Sequence, residues 1–308
     1  LWHPDCTVIS SSKEAHPMKV LVTCDPVESH EDVFRHVIAH AWPADTSFSV
    51  LAVVLPLPAP MPQLADQLER QAAERVESLA SCFRQRGLQA TGIVRHGYPR
   101  LVVVTEAADL TADLLVLGGP RAPVKGVYLP SGSVTRTVLR SAHCSVDVAR
   151  PRASKPHEGN RVLLATDGSD DSLAAIRFVA GRPWTKDTVF EVLSVAEGAA
   201  KPVAGFYPGY LEESEMEYLN DAARNTAEGA IVDAEQILRA ASLNVAERVP
   251  IPSGTPNDRI LRGAERWGAD LIVVGSHGKR GFRQFLIGSV SESVAMHAPC
   301  SVEVHRTA

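Results

Sequence analysis

The sequence predicts an α/β protein made of two similar domains, each an open parallel sheet with helices on both faces. Three observations predict it. The chain repeats itself: KVLVTCD at Lys19 to Asp25 returns as RVLLATD at Arg161 to Asp167, 142 positions later. The same offset pairs Trp42 with Trp184, Phe48 with Phe190 and Val53 with Val195. Within a copy, short apolar runs alternate strictly with helical patterns, and such βαβα order implies right-handed crossovers and a parallel sheet. Runs such as Leu271 to Val274 are apolar at every position, as a strand buried on both faces requires.

The repeat sets the boundaries. The offset becomes 157 at Gly97 and Gly254 and at ADLLVLGG and ADLIVVGS, then 156 at Gly132-Ser133-Val134 and Gly288-Ser289-Val290. The second copy therefore carries about 15 extra residues, gained between Val195 and the middle of its long helix. The expected layout is a tail over 1–17, a first domain over 18–149, a Pro-rich and charged linker over 150–160, and a second domain over 161–308.

In the second copy, Val162 to Ala165 reads as a strand ending at Asp167-Gly168-Ser169, and Ser169 or Asp170 can cap a helix carrying Leu173, Ile176 and Ala180 on one face. Gly181 and Pro183 end that helix. Val189 to Val195 is a second strand, and 198–210 has too much Gly and Pro for regular structure. From Leu211 to Ser242, Met216, Leu219, Ala223, Ala227, Ile231, Ala234 and Leu238 mark a long helix with one apolar stripe. Asn244 to Pro250 is a third strand. Gly254, Pro256 and Asn257 start a short helix bearing Ile260, Leu261, Ala264 and Trp267. Leu271 to Val274, the helix opened at Gly288-Ser289-Val290, and Ser301 to His305 complete the set.

Composition narrows the function classes. A chain of 308 residues holds about two domains. Its net charge of −5 argues against nucleic acid as the main partner. No apolar run reaches the roughly 18 residues of a membrane span, and the first 17 residues lack a cationic start and an apolar core, so neither membrane nor secretion is expected and a cytoplasmic location is. The five cysteines are scattered, and Cys24, Cys144 and Cys300 fall in or beside strand runs as core residues. No metal site is expected from His143-Cys144 and His297 with Cys300, which are unmatched pairs.

The candidate site follows from the sheet. In an open parallel sheet, ligands bind beyond the carboxyl ends of the strands where the strand order reverses. With strands 1 and 4 as neighbours there, Asp167 and Gly275 face one crevice and Val195 flanks it. After Gly275 the spacing is G-x2-G-x9-G-S, through Gly278, Gly288 and Ser289, with Val290 next. Glycines there let a backbone approach a ligand, and a helix start attracts anions. Each residue has a plainer reading too: Ser289 with Glu292 fits a capping box, and Asp167 fits a D-G-S turn. Lys279 is a candidate phosphate contact, whereas Arg280 and Arg283 read as a solvated loop.

These residues resemble the universal stress protein family, in its tandem type with two copies in one chain. The nucleotide signature of that family, G-x2-G-x9-G-[ST], is matched by Gly275, Gly278, Gly288 and Ser289, its strand-1 aspartate by Asp167 and its strand-2 valine by Val195. The resemblance implies a Rossmann-like five-stranded sheet of order 3-2-1-4-5 and binding of an adenine nucleotide, ATP or else ADP or AMP, and leaves open whether Mg2+ accompanies it. It implies Asp167 at the ribose, the Val195 backbone at the adenine, and the glycines with Ser289 and Val290 at the phosphates. It also implies pairing of fifth strands, so that Val146/Val148 and Val302/Val304 meet inside one molecule, which is then a pseudo-symmetric monomer or part of a homodimer.

The first copy departs from this pattern. Its run is Gly118-Gly119-Pro120-Arg121 and no count from either glycine restores the motif; Pro26 replaces the glycine after Asp25, and Arg136 stands where the second copy has Glu292. One competent site, in the second copy, is expected. The function expected is a nucleotide-binding regulatory role in stress response rather than a dedicated enzyme. Ligases and nucleotidyl transferases on such sheets would carry HxGH with KMSKS, or SGGxDS, and the chain has none of these. Slow ATP hydrolysis or self-phosphorylation, at Ser289, is the alternative, and a pure interaction module the third reading.

Overall fold

A computed structural model of the protein describes residues 17–25, 31–57, 60–119, 132–151, 159–197, 212–278 and 287–307. The loop expected at 198–210, Lys279, Arg280, Arg283 and Arg121 lie outside the described residues, as does the tail up to position 16.

The elements alternate as the repeat requires. The first copy runs β1 (Lys19–Cys24), α1 (Glu31–Ala39), β2 (Ser47–Val54), α2 (Pro62–Arg84), β3 (Gln89–His96), α3 (Pro99–Asp109), β4 (Leu114–Gly118), α4 (Ser133–Ser141) and β5 (Ser145–Ala149). The second runs β6 (Arg161–Ala165), α5 (Asp170–Gly181), β7 (Val189–Leu193), α6 (Glu213–Ala240), β8 (Asn244–Val245), α7 (Pro256–Trp267), β9 (Leu271–Gly275), α8 (Ser289–His297) and β10 (Ser301–His305).

Two compact units result. The first comprises Leu1–Pro151 with Gly181–Lys186 and Ser301–Ala308, and the second Arg152–Ala180 with Asp187–Cys300. In the first unit the strand order is β3-β2-β1-β4-β5, every neighbour parallel. The strand Ser301–His305 then adds to β5 antiparallel, with Val302 opposite Val148 and Val304 opposite Val146. In the second unit the order is β8-β7-β6-β9, again parallel. The all-apolar strands are buried as their sequence demands: Leu21, Leu114 and Leu115 in one sheet and Leu163, Leu164 and Ile272 in the other have no exposure. Phe48 adds an edge-to-face contact with Trp42, centroids 5.1 Å apart. Cys24, Cys144 and Cys300 are buried, and burial pushes the Cys24 thiol up to about 12 and Cys144 to about 11.

Three local readings change. The third strand of the second copy is only Asn244–Val245, because Pro250 and Pro252 bring no N–H to a ladder; one further bridge joins Ala196 and Ser253. The matching β3, free of proline, keeps eight residues. The apolar stripe of α6 is buried from Ala227 onward, whereas Met216, Leu219 and Ala223 stay half-buried. Lastly, α8 is capped by Gly288 with no side-chain cap, so Ser289 and Glu292 do not form the capping box.

Charges sit inside the first unit. Asp147 on β5 and Glu303 on β10 stand directly opposite each other, at 2% and 0% exposure. His36 of α1 meets Asp147 through Nε2, and Arg182 donates to Glu303 Oε2 at 2.8 Å. A buried carboxylate is tolerated only when so matched. Burial pushes the Glu303 carboxyl up, while the guanidinium opposes that rise.

Candidate functional site

The second unit builds a cleft at the carboxyl ends of its strands. Where β6 ends, Gly168 takes φ +75°, a conformation natural to glycine, and turns the chain into α5. Asp167 Oδ1 accepts the Ser169 amide at 3.0 Å, and Thr166 Oγ1 accepts that of Gly168 at 3.1 Å. Of the two expected caps, Ser169 acts: its Oγ accepts the Ser172 amide at 3.3 Å.

Facing this turn, β9 ends at Gly275. A Cβ there would lie 2.8 Å from the Asp171 carbonyl carbon and the Ser172 nitrogen, so glycine lets β9 press against the start of α5. At Gly278 a Cβ would lie 2.7 Å from Asp167 Oδ2, and at Gly288 it would lie 3.1 Å from the Ser276 carbonyl oxygen. The three glycines thus draw protein segments together around the cleft rather than leaving their Cβ space for a ligand. The Gly288 amide donates to Ser276 O at 2.7 Å, and Ser291 Oγ to Gly275 O at 2.6 Å, fixing α8 against the end of β9.

The cleft encloses about 720 Å³. Asp167, Val195, Gly275, Gly278, Gly288, Ser289 and Val290 all line it, so the structure brings together every expected site residue except Lys279, which lies outside the described residues. Val195 sits half-buried just past β7, and Ser289 is exposed at the first position of α8. Leu193, Leu219, Ala223 and Ile260 give the cleft an apolar side. The first amides of α8 have no acceptor within the helix and suit an anion. The arrangement offers apolar walls, a carboxylate and helix-start amides, in a volume ordinary for small-molecule sites.

Sequence reasoning passed over His277 and Asp171. His277 Nδ1 lies 3.1 Å from Asp171 Oδ2, and Ser276 Oγ donates to the same oxygen at 3.2 Å. A histidine between two motif glycines was the available signal; its partner lies 106 positions away.

Fold and cleft together define a doubled α/β protein with open parallel sheets and a large cleft in its second copy. The profile of the universal stress protein family matches residues 17–150 and 159–306, one match per copy. The chain belongs to that family and is a tandem universal stress protein. A universal stress protein of Methanocaldococcus jannaschii is 29% identical over 144 residues, 47% of this chain and 80% of that one. Universal stress protein YxiE of Bacillus subtilis is 27% identical over 148 residues, 48% of this chain and 99% of the relative. Among solved structures, a universal stress protein from Archaeoglobus fulgidus covers 94% of this chain and 96% of its own length at TM-score 0.60 and 19% identity, which shows the shared fold. A universal stress protein family protein from Arabidopsis thaliana was solved with AMP bound; it covers 46% of this chain and 97% of its own length at TM-score 0.31 and 18% identity. No helix among the described residues is long and apolar enough to cross a membrane.

Proposed function

We propose that the protein binds an adenine nucleotide in the cleft of its second copy and that the bound state serves a regulatory role in stress response. One observation carries this reading: seven residues chosen for ribose, base and phosphate from widely separated stretches line one cleft. Asp167 would accept from ribose hydroxyls, the backbone at Val195 would meet the base, and Gly275, Gly278, Gly288, Ser289 and Val290 would surround the phosphates. Lys279 would add charge there, and Mg2+ would accompany ATP rather than AMP. The antiparallel ladder of Val146/Val148 with Val302/Val304 is read as the intramolecular form of fifth-strand pairing.

Calorimetric titration with ATP tests the reading, with one site per chain expected and binding lost in Gly278→Glu, whose side chain would crowd Asp167. Two equivalent sites, or unchanged binding in the variant, would count against it. Self-phosphorylation at Ser289 is the second reading, favoured by its exposed place at the start of α8 with no capping role. Incubation with ATP followed by mass spectrometry would find phosphoserine there.

A further inference from the structure

Asp147 and Glu303, equivalent positions of the repeat, face each other inside the first unit and have no part in the cleft. As directly opposed residues of β5 and β10 they share one face of the sheet, with Cβ atoms roughly 4.5–5.5 Å apart. Each carboxyl group gives one oxygen to a nitrogen donor: Asp147 Oδ2 meets His36 Nε2, and Glu303 Oε2 accepts from Arg182 at 2.8 Å. The other two oxygens, Asp147 Oδ1 and Glu303 Oε1, are buried and have no hydrogen-bond partner among the described residues. Unpaired buried acceptors are costly, and two of them on facing side chains have a common remedy. One proton held between them makes a donor of one carboxyl group and an acceptor of the other.

Charge leads to the same proton. Two ionised carboxyls would face one permanent cation, Arg182, whose guanidinium lies over the Trp184 ring at 5.0 Å. His40 packs edge-on against His36, and burial with nearby His36 keeps it neutral above about 3, so it brings no charge. His36 can serve Asp147 as a neutral ring, donating from Nε2. With one proton on the carboxyl pair, the cluster is then neutral. Burial pushes the Glu303 carboxyl up, against the opposing pull of Arg182 and with the help of the Asp147 charge.

We propose that Asp147 and Glu303 hold a single proton between them, and that this proton locks β10 onto β5 in a seam that loosens when rising pH removes it. The proton exchanges with solvent and no covalent bond changes. A carboxyl raised in the folded state keeps its proton where the unfolded chain, titrating near 4.5, has lost it. The stabilisation is therefore whole below 4.5 and is lost as pH rises through the folded value. The charged and titratable groups around the pair are His36 and His40 of α1 and Arg182 just past α5; the guanidinium stays charged throughout.

Urea denaturation of the full chain across pH, comparing wild type with Glu303→Gln, tests this, because the amide stands in permanently for the protonated acid. The unfolding constant of wild type divided by that of the variant should be flat below pH 4.5 and rise above it, by up to about tenfold per pH unit, until the pair lets go. Asp147→Asn should give the same difference. Deuterium exchange of the Ser301–His305 amides, corrected for its intrinsic pH dependence, should quicken with pH in wild type and in neither variant. A ratio that stays flat overturns the proposal, since both acids are then ionised. A pH-dependent loss that survives in Glu303→Gln and vanishes in His36→Gln also overturns it, because the proton then belongs to the ring. Should neither amide variant fold, infrared spectroscopy of wild type near neutral pH decides: a protonated carboxyl band lost as β10 exchange quickens supports the shared proton, and the absence of such a band overturns it.

Discussion

Gly118 and Gly275 occupy the same place at the end of the fourth strand of each copy, and their surroundings differ. At Gly118 a Cβ would meet only Val33 Cγ2 at 3.8 Å among the described residues; at Gly275 it would strike backbone at 2.8 Å. The second copy has pressed strand and helix start together to shape a cleft, using the glycine for that contact. A second pair diverges in charge. The position of His40 in the first copy is held by Arg182 in the second, a titrating ring against a fixed cation. Duplication preserved the sheet, and the copies parted at the turns and charges that a sheet does not dictate.

The largest expected effect breaks the charge pair. Arg182→Met strands Glu303 in the interior and should cost about 3–5 kcal/mol of unfolding free energy, read by urea denaturation; a loss under ~1 kcal/mol would mean that the pair is relieved by water. Next, Gly275→Ala should cost about 1–3 kcal/mol through overpacking, and Gly118→Ala distinctly less. Equal losses at the two glycines would erase the contrast between the copies.

The remaining effect concerns pH. His40 packs against His36, Trp42 and Trp184 at centroid distances of 4.5, 6.1 and 5.9 Å, and burial with nearby His36 pushes it down from 6.5 to about 3. The unfolded chain takes up this proton below about 6.5 and the folded one only near 3, so this contribution to stability is whole above 6.5 and is lost as pH falls toward 3. Glu303, raised by burial, acts in the opposite direction above 4.5. The difference between wild type and His40→Gln isolates the histidine: urea midpoints of wild type should fall more steeply between pH 6.5 and 3. Parallel curves would remove His40 from the account.

Much of this was legible in the chain. Apolar runs such as Leu271 to Val274 dictate buried strands, and the repeated Gly97 and Gly254 share φ near +138° and +136° because both begin the same turn. What stayed hidden depends on contacts between distant segments. Nothing within SVDVA or SVEVH marks its acid as buried, yet Asp147 and Glu303 lie opposite each other on paired strands at 2% and 0% exposure. Of the two readings open for Ser289, the capping box does not form, because Gly288 already starts the helix. Asp171 and His277 meet across 106 positions, a distance no local pattern spans.

The strand Ser301–His305 completes the sheet of the first unit although it follows all the other strands of both copies in the chain. Until translation reaches it, the edge of β5 lacks its neighbour and Asp147 faces no opposing strand. The first copy must therefore wait until Ser301–His305 has been made to finish folding, and a ribosome stalled anywhere before Ser301 would leave that edge open to chaperones or to other nascent chains.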